Sequence, residues 1–556
     1  MSPTAVGALN WTGDDPCIFP VDCPDFGGFV SSTTIVRGEW WRLGQVKAGD
    51  TLQYRQVSLE QSLKMRRRVD EFIDQIATAC AGETTFESIE ALAYDSLPLS
   101  AKSEKVGQGI LQQIEAEGNQ PLTTYRQGGD DYILVEYGDG TFDLNNRCRV
   151  TALTKALKGS GSGSKPIAGL VNTVGCCNSL LIYYNGLEVS QEALISHLVS
   201  LEKSIGDLSK AKMPSRLFNL PITFDTSGEK EAIKRYMETQ RPYASYLPDN
   251  MEFVAKNNGL EKADLKKLLL GNSLMAISVG FFAALPLCLP VDPRRRVYCP
   301  KMNPSRVFTP EGQVSWGGAC MALYNVESPG GYQLTGRTIP GVDILGSKCG
   351  YSLSRPWLFE DFDQLTFHEI SEEDYEKQMA VFHSGRYEYI VEETVFDMEE
   401  HNRLLEETRD EVKVIREKQA EAQTKMAKLE ADLMVKWEKE KAEGKVPMDK
   451  VETLLNGKSN LSRRKRCTLL VPISLLLDPS ISKISSPLNA NVWKVTAREG
   501  DILERNQIVA ILEAMKLEIS VRAEEGLEGC KIEKVLVRPN DVVKAGDPVV
   551  LVRRKD

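Results

Sequence analysis

The sequence predicts a multidomain chain: β-rich α+β modules, a long helical linker, and an all-β flattened barrel at the C-terminal end. Three observations carry this. The apolar runs Ile508–Leu512 and Ile519–Val521 flank a polar tip, Glu513-Ala514-Met515-Lys516-Leu517-Glu518, which is the pattern of a β-hairpin. Residues 1–63 and 121–376 alternate short apolar runs with Gly, Pro and Asp turns. From Asp397 onward the pattern changes to apolar residues at 3-4 spacing.

The barrel follows from a repeat. Trp493-Lys494-Val495 recurs as Glu533-Lys534-Val535, Glu499-Gly500-Asp501 as Pro539-Asn540-Asp541, and Val509-Ala510-Ile511-Leu512 as Val549-Val550-Leu551-Val552. Two halves with one rhythm make a quasi-symmetric barrel, and the hairpin with Lys516 lies at their junction. An exposed lysine at a hairpin tip is a place for covalent attachment, or only a solvated surface lysine.

The totals bound the rest. A chain of 556 residues holds two to four domains. Its 42% hydrophobic and 26% charged residues are ordinary for a globular protein, and a net charge of −10 argues against a general nucleic-acid binder. The apolar stretch Leu274–Pro290 is interrupted by Pro286 and falls short of the about 20 residues of a membrane span, so it is assigned to the core. The 12 cysteines are scattered with no C-x-x-C pair, which indicates neither a disulfide framework nor a zinc site and points to the cytosol. The 4 histidines, His197, His368, His383 and His401, have no metal spacing and are each expected at the surface.

In chain order, Val36–Tyr54 is expected as strand, turn and strand, with Lys47-Ala48-Gly49-Asp50 as the turn. Residues 64–120 are expected as a helical linker, with helices over Met65–Ala77 and Lys105–Glu117. Strands are expected over Asp131–Tyr137 and Leu180–Tyr184, and helices over 191–206 and 228–238. The Gly-Ser run from Gly159 to Ser164 is a flexible connector or an engineered joint. Asp397 with Glu400 opens a helix over 397–447, and Leu405, Thr408, Val412, Ile415, Gln419, Ala422, Met426, Leu429 and Leu433 form a seam with polar interruptions. At about 45 residues it would be roughly 68 Å long, either a rigid arm with a coiled-coil partner or a solvated single helix. Residues 457–477 fit neither neighbour: Arg463-Arg464-Lys465-Arg466 precedes the apolar run Cys467–Leu477, which is expected to be a translated intron or a basic signal followed by a strand.

Residues 484–553, with Ala514-Met515-Lys516, resemble the biotinyl carrier domain of biotin-dependent carboxylases. A lipoyl carrier shares the architecture, but methionine before the lysine favours biotin. The resemblance implies covalent biotin on Lys516, presented by Glu513, Ala514, Met515 and Leu517. Leu517 departs from the family's usual methionine, and Asn489-Ala490-Asn491 from its usual Pro-Gly turn. Cys23-Pro24-Asp25-Phe26-Gly27-Gly28-Phe29, Gly44–Asp50 and Val57–Ser62 resemble the end of the allophanate hydrolase subunit 2 family, which implies a shortened N-terminal module over 1–63. Gly129–Asp139 and Val326–Thr338 resemble the subunit 1 family over 121–376. Together the three stretches resemble the carboxyltransferase and carrier section of the urea carboxylase family, of fungal type.

This resemblance implies transfer of CO₂ from carboxybiotin to urea. ATP, Mg²⁺ and bicarbonate would act only through a biotin carboxylase domain that this sequence lacks, since no phosphate-binding loop occurs in it. The implied partners are urea, a biotin protein ligase, the biotin carboxylase domain and an allophanate hydrolase; homo-oligomerisation is left open. Urea nitrogen is a weak nucleophile, so its site needs donors on the urea oxygen, a proton acceptor and exclusion of water. Ser328, Gln333, Arg337 and Thr338, beside Gly330-Gly331, offer such groups or form only a structural bend. Asp25 in a Gly-rich turn and Asp292 before Arg294-Arg295-Arg296 are further candidates, or an Asx cap and an ion pair. Transfer to guanidine or another amide, a 5-oxoprolinase-like activity, and an inert carrier remain as alternatives.

Overall fold

The computed structural model describes residues 2–12, 15–24, 27–28, 30–47, 50–89, 109–159, 167–348, 350–443, 480–486, 490–514, 517–523, 526–538, 541–543 and 546–554. The insert over 457–477 and the connector from Ser160 to Ser164 lie outside these residues.

The N-terminal segment is a three-stranded antiparallel sheet, Asp15–Ile18, Ala8–Thr12 and Val30–Thr34, followed by the helix Leu59–Cys80. Ser58 and Gln61 close a capping box at the start of that helix. Between sheet and helix the expected strand–turn–strand is absent among the described residues, which leave out Ala48 and Gly49 of the turn. Arg37–Glu39 and Trp40–Leu43 are short helical turns instead. The reason is tertiary: Gly38 sits against the backbone of Arg66, where a Cβ would come within 3.0 Å, and Trp40 Nε1 donates to Ile35 O at 3.0 Å.

The next sheet has five antiparallel strands, ordered Ile110–Ile114, Thr123–Gly128, Tyr132–Tyr137, Ser179–Tyr184 and Leu170–Gly175. Helices Leu144–Leu157 and Gln191–Ile205 pack their apolar residues on it. The described part of the expected helix Lys105–Glu117 is thus corrected: Ile110–Ile114 is an edge strand, and residues 105–108 lie outside the described residues. Leu111 and Ile114, at helical spacing, both reach the core because the ladder slips between Ile110 and Gln112.

The largest sheet has eight strands: Gln333–Arg337, Gln313–Gly317, Cys320–Tyr324, Leu285–Pro290, Leu274–Gly280, Gln364–Glu369, Lys212–Ile222 and Ile390–Asp397. Only Gln364–Glu369 against Lys212–Ile222 is parallel. The apolar stretch Leu274–Pro290 is a hairpin at the centre of this sheet, buried along its strands and exposed at Phe281 and Phe282 of its turn. The last strand pairs along its whole length with Lys212–Ile222. Strands Ile110–Ile114 and Ile390–Asp397 thus pair with the sheets of this stretch from outside the limits 121 and 376.

An ion-pair cluster ties the N-terminal segment to this module. Asp131, 1% exposed, receives Arg66 at 2.6 Å and Arg37 at 3.1 Å. Asp130 accepts the backbone N–H of Arg37 at 3.1 Å, and Arg37 also donates to the Tyr183 hydroxyl. Burial, and next the charge of Asp131, raise the Asp130 carboxyl to about 6, against the bond from Arg37 N.

Asp397 caps the helix Met398–Glu407, and a 34-residue helix, Arg409–Ala442, continues the chain. It is neither a free arm nor a solvated rod. Gln419 is buried and donates to Arg296 O at 2.9 Å, and Arg416 donates to Pro293 O at 2.7 Å. Met426 packs on the main core. Glu430 pairs with the buried Arg241 at 2.6 Å, and Trp437 covers that guanidinium at 5.2 Å. Of the polar interruptions of the seam, Gln419 is an attachment point to the module, while Thr408 donates to Leu404 O four residues before it. His401 is buried here, not exposed, 5.4 Å from the Phe396 ring. Burial and then the charge of Arg296 lower its pKa to about 4, so it stays neutral.

Candidate active site

The site has two parts, and the carrier barrel is the first. Its sheets are ordered Ile481–Ser485, Pro548–Arg553, Lys531–Val535 and Leu517–Arg522, Ile508–Ala514, Ala490–Val495, Val542–Val543. The repeat seen in the sequence is a repeat in register. Val492 faces Leu512 and Val495 faces Ala510; an offset of 40 gives Ile532 facing Val552 and Val535 facing Val550. Both ladders slip at the same place, between Val492 and Lys494 and between Ile532 and Lys534. Among the described residues, the apolar residues of this core all come from the barrel itself, between Ile484 and Val552.

The hairpin ladder pairs Glu513 with Glu518 and ends at Ala514 opposite Leu517. Met515 and Lys516, between them in sequence, lie outside the described residues, as does Asp25. An antiparallel ladder that slips only between Ile508 and Ala510 fits a carrier hairpin, and covalent biotin would be held there by the lysine amine alone.

The second part lies on the module. Ser328–Gly330 is a short strand paired with Arg306–Thr309, not a loop. Gln333, at the start of the next strand, is buried and donates to Pro300 O at 2.9 Å, while its Oε1 has no protein partner. Such a buried acceptor is the kind of group an amide N–H would satisfy. Thr338 is buried and donates to Pro221 O at 2.5 Å. Arg337 donates to Glu311 O at 3.0 and 3.3 Å, lies 3.5 Å from Glu376 and stacks 4.8 Å from the Tyr375 ring. Beside it, Glu229 accepts from Gly336 N at 2.7 Å and Gln313 at 2.9 Å; burial raises its pKa against these bonds. Asp292 caps the turn Pro293–Arg295 and pairs with Arg294 at 2.8 Å and Arg295 at 3.6 Å. Burial pushes its carboxyl up, but the bonds and charges of these arginines prevail and hold it below the usual range. Its neighbourhood includes Glu411 of the long helix, bonded to Arg294, and not the 328–338 strands.

The segment beside Gln333 is fixed from all sides. Gln240 donates to Ser305 O at 2.6 Å, Tyr236 to Pro304 O at 2.9 Å, Arg241 and Tyr246 to Asn303 O at 3.1 and 2.8 Å, and Met302 N to Gly331 O at 2.7 Å. Gly330 and Gly331 are close-approach glycines here, since a Cβ would come within 2.5 Å of Tyr324 Oη and 2.9 Å of Ser305 Oγ. Lys301 projects from this segment, its Nζ 5.3 Å from the Tyr332 ring centroid. It is a cation on this segment that the sequence reading missed. The only local signal was a lysine in Pro300-Lys301-Met302-Asn303-Pro304, a run that cannot continue a strand.

Fold and carrier together define a carboxyltransferase with its biotin carrier in one chain. Profiles of carboxyltransferase subdomains A and B, carboxyltransferase subdomains C and D, and biotin-requiring enzymes match residues 1–56, 123–345 and 478–552. A protein of Emericella nidulans that carries a urea carboxylase name is 55% identical over 99% of this chain and 43% of its own length. The urea amidolyase of Saccharomyces cerevisiae is 32% identical over 99% of this chain and 27% of its own length. The crystal structure of Kluyveromyces lactis urea carboxylase superposes with a TM-score of 0.72 at 31% identity, over 99% of this chain and 44% of that one. The chain belongs to the urea carboxylase family and corresponds to its carboxyltransferase and carrier section. It spans less than half the length of these relatives. Among the described residues no helix is long and apolar enough to cross a membrane.

Proposed function

We propose that this chain transfers a carboxyl group from biotin on Lys516 to urea, giving allophanate. The observation that carries the reading is that carrier and carboxyltransferase module share one chain that is similar, over 99% of its length, to a protein named for urea carboxylation. Biotin, held on Lys516, would supply the carboxyl group and, as its N–CO₂ bond breaks and the urea N–C bond forms, a base for the urea proton. The residues of this chain bind and orient. Gln333 Oε1 offers an acceptor to a urea N–H, and Lys301 offers a cation to the carboxyl group or the polarised urea oxygen. Ser328 stays a candidate beside them, and Asp25 one at the N-terminal segment. The donors of Arg337 and Thr338 are taken up by Glu311 and Pro221, and the Asp292 carboxylate by its arginines, so these residues support the site from outside it. A biotin protein ligase would load the lysine, a biotin carboxylase domain would carboxylate biotin with ATP, Mg²⁺ and bicarbonate, and an allophanate hydrolase would consume the product. The free cysteines among the described residues suit the cytosol.

One observation favours a second reading. A 5-oxoprolinase component from Bacillus subtilis is 23% identical over 45% of this chain and 93% of that protein. Biotin-loaded chain supplied with the biotin carboxylase domain of a related enzyme, ATP, Mg²⁺ and bicarbonate separates the two. Urea should accelerate ATP turnover, and Lys516→Arg should abolish the acceleration. Acceleration by guanidine or 5-oxoproline in place of urea would replace the reading. A biotin-loaded chain that responds to no acceptor would be a carrier alone.

A further inference from the structure

The geometry points to a docking contact that parks the carrier on the carboxyltransferase module: the Arg235 guanidinium set between the rings of Phe308 and Trp493. Arg235 lies on the helix Ser227–Thr239, its central carbon 5.1 Å from the Phe308 centroid and 5.5 Å from the Trp493 centroid. Phe308 belongs to the strand that pairs with Ser328–Gly330. Trp493 belongs to the carrier strand that flanks the hairpin, at the slip between Val492 and Lys494. Arg235 is a positioning residue: it acts on the hairpin through Trp493.

The barrel's own symmetry shows that Trp493 is not there for the barrel. The residue at the equivalent place in the second half is Glu533, which pairs with Arg553 at 3.1 Å. That place therefore takes a half-buried, ion-paired carboxylate without loss of the fold, and the half-buried tryptophan stands where the carrier meets the module. The chemistry suits a carrier that must arrive and leave. A guanidinium is flat and weakly hydrated, so aromatic rings stack on it without the strict geometry and desolvation of a buried ion pair. Trp493 sits beside Leu512, about two residues short of the described end of the hairpin at Ala514, roughly 7 Å along the strand. The contact would thus hold the hairpin end near the strands bearing Ser328 and Gln333. It rests on the carboxyl-transfer reading for its purpose, but its existence is tested without any acceptor.

Hydrogen exchange on the biotinylated full chain is the test. Trp493→Ala should speed exchange in residues 227–239, and Arg235→Ala should speed it in residues 490–495, with the biotin load unchanged. Trp493→Tyr should restore slow exchange, because a ring face remains, whereas Arg235→Lys, a strongly hydrated point charge without a flat face, should restore it only in part. Trp493→Gln guards against misfolding, since the equivalent place already holds a polar residue; it should keep the barrel's internal exchange slow and lose only the protection of 227–239. In the acceptor assay the alanine variants should lower turnover about 3- to 10-fold with the urea KM unchanged, the scale of one or two ring contacts. Unchanged exchange at the opposite segment in Trp493→Ala, Trp493→Gln and Arg235→Ala would overturn the contact. Loss of protection without any urea response would keep the contact and sink the urea reading.

Discussion

The carrier barrel and the carboxyltransferase module fold by opposite strategies. The barrel draws its core from residues 484–552, and its hairpin joins neighbouring strands. The module closes over distance. Lys212–Ile222 pairs with Gln364–Glu369 and Ile390–Asp397, Arg66 meets Asp131, and Arg241 meets Glu430. Chemistry carried by one covalent group on a local hairpin can be read from a few residues. A pocket assembled from distant segments cannot, because its members have no common spacing.

The largest expected effect is on the carrier alone. Lys516→Arg should remove all biotin, because the ligase needs a nucleophilic amine and a guanidinium stays protonated. Streptavidin blotting reads the loss, and thermal unfolding of the module should not move. The converse is Asp131→Asn, which strands the buried Arg66 and loosens Arg37. It should destabilise the module by about 3–5 kcal/mol. Two transitions are expected in denaturant, and only the module's should shift; one shared transition would break the comparison.

A third effect depends on pH. The Asp130 carboxyl is raised from 3.8 to about 6, so the folded module holds a proton that the unfolded chain releases. Its contribution therefore improves as pH falls from above 6 toward 4 and is lost as pH rises through 6. Asp130→Asn should remove a span of about 2–3 kcal/mol from the difference between wild type and variant across that window. The smallest effect is Arg337→Lys. The geometry ties this side chain to Glu311 O and the Tyr375 ring, so the expected cost is about 1 kcal/mol of stability with urea-dependent turnover kept. A fall of about 10²–10³ in turnover, with the biotin load intact, would instead place Arg337 at the reacting groups.

The barrel was legible because its repeat is a repeat of register, as Val492 with Leu512 and Ile532 with Val552 show. The long helix was legible as a helix but not as a strap. Gln419 looks like a flaw in a coiled-coil seam until Arg296 O is brought to it from a distant turn. Val36–Tyr54 and Lys105–Glu117 were misread for the same reason: Gly38 against Arg66 and the edge of the five-stranded sheet are partners that no local pattern announces. In the module, Ser328, Gln333, Arg337 and Thr338 are adjacent in sequence yet differ in role, since strand neighbours face opposite ways and each finds its own partner. Lys301 and Arg235 carried no motif at all. They matter through Tyr332 and Trp493, which the fold alone places beside them.

The contrast between a self-contained carrier and a long-range module is tested most directly by the carrier alone. Residues 480–556, produced with a biotin protein ligase, should unfold in one cooperative transition at the temperature of the carrier transition in the full chain. They should also take biotin on Lys516 to the same extent. A fragment that is unfolded, or that is biotinylated only when the module is present, would contradict the account.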